Sequence, residues 1–329
     1  MNNENNQVNV PSNIAAPNAP IQNVQVETPD FPETMGAGES PKKIKKIANN
    51  PVNVTKKVFV YIFLTLFALW ILVPFFIVLV TSIKFQSEID RPRFTWIPTQ
   101  GLDFSGYAAA FKPVKGTENM TLIKGFFNTL WIIIPPTLIG LTTSALAAYA
   151  YAKLKFRGKN ILFAIMLATM MIPGMVTFVP SYVLFNNIGW GNGPLPLMIP
   201  GMFGAAACVF YLRQFFMGIP SETLEAARLD GVGYFGMFFQ MMLPLAVPAL
   251  IAQGILGFVG GYNDYLGPML YVSDHHQTLQ VMLGLINGMN PDKQNVQMAS
   301  TVIALVPTII IYLVAQKYFI EGIAVSGLK

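Results

Sequence analysis

The sequence predicts an all-α integral membrane protein of six transmembrane helices, with a short cytoplasmic helix between the fourth and the fifth. Three observations carry that prediction. Hydrophobic residues make up 53% of the 329 positions and charged residues 11%, against about 25% charged in soluble domains. The apolar residues fall in continuous blocks, and roughly 20 apolar residues of helix cross a bilayer. Lysine and arginine gather between the blocks, where they act as topology signals. Hydrocarbon admits only structures that pair every backbone N–H and C=O internally, which leaves helices and closed barrels. Barrel strands alternate apolar and polar residues over about 10 positions. These blocks do not alternate, so the spans are helices.

Residues 1–50 are rich in Asn, Pro, Val and acidic side chains and lack helical periodicity. They read as a disordered cytoplasmic tail, closed by Lys42, Lys43, Lys45 and Lys46. Residues 51–329 form the membrane domain. The first ~30 residues hold no apolar stretch of a signal peptide, so the tail is expected to stay inside. The first span runs from Val58 to Ile83 around Pro74. A polar segment, 84–123, follows, with Trp96 and other aromatics suited to a membrane surface. The second span, Phe126 to Ala152, ends in the basic loop Lys153, Lys155, Arg157 and Lys159. The third covers Ile161 to Pro180 and the fourth Leu195 to Phe216, joined by an Asn/Gly-rich turn. An amphipathic stretch, 218–233, precedes the fifth, Tyr234 to Val259; a mixed segment, 260–298, precedes the sixth, Ala299 to Tyr318. Proline and glycine in the fifth (Pro244, Pro248, Gly254, Gly257, Gly260 and Gly261) either bend it or serve close helix packing. Packing is the stronger reading.

With the N-terminus inside, the inner segments hold 14 of the 21 Lys and Arg and the outer ones seven. That ratio puts both termini and the 218–233 stretch in the cytoplasm of a multi-pass cell-membrane protein. The formal net charge is +5, yet no basic stripe with interleaved aromatics marks a nucleic-acid surface. Cys208, the single cysteine, sits in an apolar block as packing. Asp274, His275 and His276 read as a solvated loop, since adjacent histidines point apart and do not converge on a metal.

The most informative stretch runs from Ile219 to Gly231. Pro220 and Ser221 make a helix start, with the Ser221 hydroxyl offered to the free N–H groups of the first turn. Glu222 and Glu225 suit the positive end of the helix dipole, and Glu225 can pair with Arg228. Asp230 and Gly231 end the helix, with Gly231 in the left-handed conformation. About ten residues make roughly 15 Å of helix, too short to span. Leu224, Ala227 and Arg228 share a face, and Ala226 permits close approach. On these residues alone, a groove on a cytoplasmic partner and an ordinary interfacial position both remain open.

The run Glu225-Ala226-Ala227-Arg228-Leu229-Asp230-Gly231 continues through Phe238 to Leu243-Pro244-Leu245 and Pro248. It resembles the EAA loop of permeases in binding-protein-dependent ABC importers. The likeness covers residues 58–329. Its further pieces are Ser82-Ile83-Lys84, the run Ala147 to Lys153, Ile219-Pro220, Tyr262-Asn263-Asp264-Tyr265, and Gln316 to Gly322. Together they most resemble the sugar-transporting, maltose-type permeases. Tyr262 stands where that family has tryptophan, and the long N-terminal tail is atypical.

The resemblance implies that 219–233 forms a coupling helix docking on a separate ATPase, through Glu225, Ala226, Ala227, Asp230 and Gly231. It also implies the partners: a second homologous permease, two cytoplasmic ATPase subunits and an extracytoplasmic sugar-binding protein, in membrane lipid and without nucleic acid. ATP and Mg belong to the ATPase, and this chain is expected to bind no cofactor. Asn290, Pro291, Gln294, Asn295 and Gln297 align with the loop that reaches into the binding protein. Residues 322–329 resemble a C-terminus that touches the ATPase dimer.

The residues themselves point to an outside source of energy. A nucleotide-binding loop reads G-x-x-x-x-G-K-[S/T]; the only Gly-Lys pair, Gly158-Lys159, is followed by Asn160. The second to sixth spans hold almost none of the ionisable groups that ion-coupled carriers place in the membrane. The chain is therefore expected not to be an enzyme. A sugar path would be lined by aromatics and amides, for which Asn128, Tyr149, Gln253, Tyr262 and Asn263 are candidates. At Asn263-Asp264 a structural hydrogen-bond anchor is the stronger reading. The alternatives are a permease for polyamine, phosphate or amino acid, a membrane-embedded enzyme and a passive channel. A polyamine path needs carboxylates that the spans lack, and an embedded enzyme needs clustered ionisable groups.

Overall fold

The computed structural model describes residues 51–114, 117, 119–273 and 275–326, without side chains for 51–54, 315 and 317–326. The tail expected over residues 1–50 lies outside the described residues, as does Asp274. The chain divides into Met1–Ile62 and Phe63–Lys329. Of the first unit only the opening turns of a helix are described, and the second carries all that follows.

Every regular element among the described residues is helical. In chain order they are α1 (Pro51–Ser82), α2 (Gln86–Ile89), α3 (Ser105–Ala110), α4 (Leu122–Lys153), α5 (Lys159–Thr169), α6 (Gly174–Asn187), α7 (Leu195–Met202) and α8 (Ala206–Met217). Then come α9 (Glu222–Leu229), α10 (Tyr234–Met237), a π-helical turn (Phe238–Met242), α11 (Leu243–Leu245), α12 (Val247–Tyr262), α13 (Leu266–Tyr271), α14 (Leu279–Met289) and α15 (Gln294–Ser326). Among the described residues, four stretches are long and apolar enough to cross a membrane: Thr55–Ser82, Leu122–Lys153, Leu195–Met217 and Gln294–Val314. Two more qualify as bent pairs, α5 with α6 at 92° and Tyr234–Leu245 with α12 at 76°.

The bends differ from the sequence expectation. The third block was expected as one span through Pro180, but it turns sharply ahead of α6. Pro173 has no N–H and disfavours a helical backbone at the residue before it; it precedes α6 with an extended backbone, φ −62 and ψ 129. The fifth block bends at Ala246, between Pro244 and Pro248. So the prolines bend the chain and the glycines do the packing. A Cβ on Gly254 would lie 3.1 Å from the Leu141 side chain, and one on Gly261 3.1 Å from that of Ile133. The segment expected as mixed, 260–298, forms α13 and α14, the latter burying Leu279, Met282 and Ile286 at helical spacing.

Packing falls mainly into two clusters, and α4 and α12 run through both. Leu122 and Ile133 of α4 join Tyr262, Leu279, Met282 and Ile286 in one. Ala145, Ala148 and Tyr149 of α4 join Leu212, Phe216, Phe238 and Ala249 in the other. Between the clusters α4 crosses the α7–α8 connection on glycine, because lipid gives helices no hydrophobic reason to associate and close backbone contact must do it. Gly204 takes φ +88, and a Cβ there would sit 2.6 Å from the Ser144 hydroxyl.

Gly204→Ala therefore adds both backbone strain and a clash, at a cost of about 1–3 kcal/mol. Its thermal midpoint in detergent should fall clearly below wild type. Gly174→Ala, where nothing lies within 4 Å of the new Cβ, should melt with wild type.

Candidate functional site

Three sites lie along α4: one helix at its Lys153 end, a pocket at mid-length, and a folded segment at its Leu122 end. At the Lys153 end sits α9. Ser221 precedes it, but its hydroxyl makes no capping bond, contrary to expectation. Its backbone is already helical, φ −75 and ψ −23, instead of the extended form that aims an N-cap side chain. The Ser221 carbonyl takes over, accepting the N–H groups of Leu224 and Glu225 at 3.0 Å each.

The other end of α9 closes as its sequence predicts. Gly231 takes φ +79, the Val232 N–H donates to the Ala227 carbonyl at 3.0 Å and the Gly231 N–H to that of Arg228 at 3.1 Å. That pair of bonds is a Schellman closure. Arg228 lays its guanidinium 5.7 Å from the Tyr234 ring centroid and not against Glu225.

The two faces of α9 are unlike. Ala227 is buried, and Leu224 is half-buried against the cluster that holds Phe216 and Phe238. Glu222, Glu225, Ala226, Arg228 and Asp230 are exposed, and Leu229 is 89% exposed. Sequence reasoning missed Leu229 as a surface feature, although the signal was available. Five residues of helix rotate about 140°, so once Leu224 faces inward Leu229 cannot. Basic side chains tie the surrounding helix ends together. Lys153 donates to the Ile219 carbonyl at 2.5 Å, Arg213 Nε to that of Tyr151 at 3.3 Å and Lys159 to that of Leu154 at 3.0 Å. These cations sit where the C-terminal carbonyls of α4 favour them.

The mid-length pocket, 340 Å³, opens between α4, the α7–α8 connection, α12 and the segment after it. Its polar lining is Thr137, Ser144, Gln253, Asp264 and Thr278. Asp264 both lines the pocket and anchors α13, accepting the Gly267 N–H at 3.1 Å. Thr278 is buried, and its hydroxyl has no hydrogen-bond partner among the described residues. Of the five path candidates, Gln253 alone lines this pocket.

The other four hold the structure. Tyr149 is buried with its ring 5.6 Å from that of Phe238, and buried Tyr262 donates its hydroxyl to the Ala304 carbonyl at 2.8 Å. A large ring gains most between helices when its hydroxyl finds a carbonyl. Asn128 donates to the Gln277 carbonyl at 3.2 Å and Asn263 to that of Val259 at 3.0 Å.

At the Leu122 end, Pro291 and Gln294 are exposed in the α14–α15 turn, and half-buried Gln297 closes it by donating to the Asn290 carbonyl at 2.8 Å. Asn295, expected on this surface, is only 5% exposed. Its N–H donates to Gln86 Oε1 at 3.3 Å and its side chain to Asp103 Oδ2 at 3.4 Å. Asn295 thus fastens the 84–104 segment to α15, with no surface left to offer.

That segment folds around Glu88, which is buried. Its carboxylate accepts the Thr95 hydroxyl at 2.6 Å, the Thr99 N–H at 3.0 Å to both oxygens, and the Gln100 N–H at 3.2 Å. The Thr95 hydroxyl foremost, then these N–H groups, hold the Glu88 carboxyl down to about 2 against the opposing effect of burial. Lys84, also buried, donates to the Thr95 carbonyl and lies 4.3 Å from the Phe94 ring centroid.

Residues 140–325 match the family described as binding-protein-dependent transport system inner membrane component. Over 271 residues the chain is 32% identical to the arabinooligosaccharides transport system permease protein AraQ of Bacillus subtilis (strain 168), covering 82% of this chain and 94% of that one. It is 29% identical over 272 residues to the sn-glycerol-3-phosphate transport system permease protein UgpE of Yersinia enterocolitica, covering 82% and 96%. A bacterial ABC transporter involved in the import of the acidic polysaccharide alginate contains a chain of the same fold. It matches with TM-score 0.69 and 24% identity, over 82% of this chain and 98% of that one.

The low pKa of Glu88 sets a pH window. A carboxyl whose pKa drops on folding stabilises the folded form fully above its ordinary value of 4.5 and loses that contribution as pH falls through about 2. Hydrogen exchange at the Thr99 and Gln100 amides, corrected for intrinsic rate, should stay protected from neutral pH to 4.5 and open only toward 2. Glu88→Gln should show weakened protection at neutral pH. Protection lost already at pH 5, or an unaffected variant, would contradict this role for the carboxylate.

Proposed function

Because the chain belongs to the family of inner-membrane components of binding-protein-dependent transport systems, and is thus a multi-pass membrane protein, we propose that it is one permease subunit of an ATP-driven sugar importer. The observation that carries the reading is α9. Ala227 and Leu224 anchor this short helix to the core, and it presents Glu225, Ala226, Asp230 and Leu229 outward. Leu229, 89% exposed among the charged side chains of α9, is the large apolar contact this helix offers a partner.

In this reading each bent pair counts as one span, making six, and both termini and α9 face the cytoplasm. There α9 docks on a separate ATPase, which binds the ATP and Mg. Two ATPase subunits imply a second, homologous permease with its own docking helix. An extracytoplasmic sugar-binding protein delivers cargo to the opposite face, where Asn290, Pro291, Gln294 and Gln297 are the contacts we favour. Force on α9 reaches the cluster of Phe216 and Phe238 through Leu224, and reaches α4 through the Lys153–Ile219 bond. The bend at Ala246 and the π-helical turn are where the chain yields.

The cargo path in this reading passes Gln253, Asp264 and Thr278 in the 340 Å³ pocket. AraQ, by its name, moves arabinooligosaccharides, which supports an oligosaccharide here. UgpE is named for sn-glycerol-3-phosphate, but a phosphorylated cargo calls for cations, and the charged side chain lining the pocket is Asp264. A neutral, polyhydroxylated cargo fits better.

The test replaces the docking face. Leu229→Asp and Glu225→Lys, reconstituted in vesicles with the partner subunits, should each weaken docking by about 2 kcal/mol, roughly 30-fold. ATP-driven uptake should fall accordingly, while membrane insertion and thermal midpoint stay at wild type. Undiminished uptake in both variants would overturn the reading, and ATP-independent uptake by the wild type would favour a passive channel.

A further inference from the structure

The Ser82 end of α1 carries a cavity that the transport reading leaves unused. It measures 270 Å³ and lies between the last turns of α1, the 88–95 segment and the start of α15. Lys84, Arg91, Arg93 and Glu88 are its charged lining, an excess of two positive charges. Glu88 has no acceptor capacity to spare for them, since Thr95, Thr99 and Gln100 occupy both carboxylate oxygens. Buried Lys84 spends its ammonium on the Thr95 carbonyl and the Phe94 ring. Arg91 and Arg93 are exposed, and among the described residues no carboxylate pairs with either guanidinium.

The position of the cavity selects the anion. The Trp96 ring stacks 6.3 Å from that of Phe76, which lies about 9 Å inside the end of α1 at 1.5 Å per residue. The basic segment therefore folds back beside a helix whose apolar surface is exposed from Val58 to Phe76. Trp96 and Ile97 are 56% and 74% exposed beside it. Aromatic rings alongside arginine at the end of a span mark the headgroup layer of a bilayer. A free anion would satisfy the guanidiniums but leave that apolar rim uncovered, whereas a lipid satisfies both.

We propose that this cavity binds the phosphate of an anionic phospholipid from the leaflet at the Ser82 end of α1. Arg91 and Arg93 clamp the phosphate oxygens, for which the guanidinium fork is suited. Lys84 adds charge from within, and Trp96 and Ile97 lie against the upper acyl chain. Glu88 holds the segment in the shape that lets both arginines face the cavity. The inference needs α1 to cross the membrane and does not depend on the cargo, so it stands or falls apart from the transport reading.

Native mass spectrometry of the full-length chain, taken from micelles with equal phosphatidylglycerol and phosphatidylcholine, tests it. The wild type should retain phosphatidylglycerol preferentially, by roughly fivefold per arginine, and millimolar inorganic phosphate should not displace it. R91Q/R93Q should lose that preference, R91K/R93K should retain an intermediate one, and Arg157→Gln in the distant basic loop should match wild type. Equal retention of both lipids by the wild type, or an undiminished preference in R91Q/R93Q, would overturn the proposal. So would displacement by inorganic phosphate, which assigns the cavity to a free anion. An R91Q/R93Q protein that keeps its lipid but loses its response to a binding protein would assign the face to a protein partner and overturn the lipid too.

Discussion

A peptide N–H or C=O left unpaired in hydrocarbon costs several kcal/mol, so this chain can change direction in the membrane only where its backbone repairs itself. Both bent helix pairs meet that condition. Before α6 three successive N–H groups, of Met170, Met171 and Ile172, tighten onto the carbonyls of Leu167, Ala168 and Thr169 at 3.1–3.3 Å. Pro173 then has no donor to lose. At the other bend the Ala246 N–H is shared between the carbonyls of Met242 and Leu243, and the Ala246 carbonyl accepts Leu250. The prolines cause the turns and limit their cost.

Hydrocarbon also reverses which residues belong inside. Apolar burial gives helices no advantage against lipid tails, so the interior favours alanine and glycine that let backbones meet, as at Ala145, Ala148, Ala249 and Gly204. Large side chains such as Phe59, Leu69 and Trp70 face outward. Two of the large groups kept inside do specific work. Tyr149 locks α4 to the π-helical turn, and Tyr262 locks α12 to α15.

The contrast explains what could be read from the sequence. Apolar blocks follow from the solvent, so they were legible, and Gly231 was legible because its left-handed turn needs a residue without a side chain. Bending was not, because proline alone does not decide it: Pro74, Pro135, Pro136 and Pro307 all lie inside unbroken helices. Asn295 was hidden for another reason. Asn295 finds Gln86 and Asp103 some two hundred positions away, and no local pattern announces such a partner. Tyr149 and Tyr262 match a sugar path in composition, but composition does not say whether a ring faces a void or a neighbouring helix. Leu229 and the apolar spacing of α14 were visible and went unused, one read through its loop, the other obscured by Gly284, Asn287 and Gly288.

The two packing clusters give the pocket its mechanical meaning. α4 and α12 pass through both, and both line the pocket between them, with Pro136, Thr137, Gly140, Leu141 and Ser144 among the residues of one helix and Gln253, Leu256, Gly257 and Gly261 those of the other. Gly140 on one helix and Gly257 and Gly261 on the other put no side chain into the gap, so the clusters meet there along a seam that glycine keeps open. α9 packs on one cluster, and the bend at Ala246 belongs to that same cluster. The opposite cluster is held by α14 and by the start of α15, which Asn295 fastens to the 84–104 segment. In the function proposed for α9, a pull on it would move one cluster against a braced partner. In the proposed reading the space that changes is the seam itself, where Gln253, Asp264 and Thr278 sit.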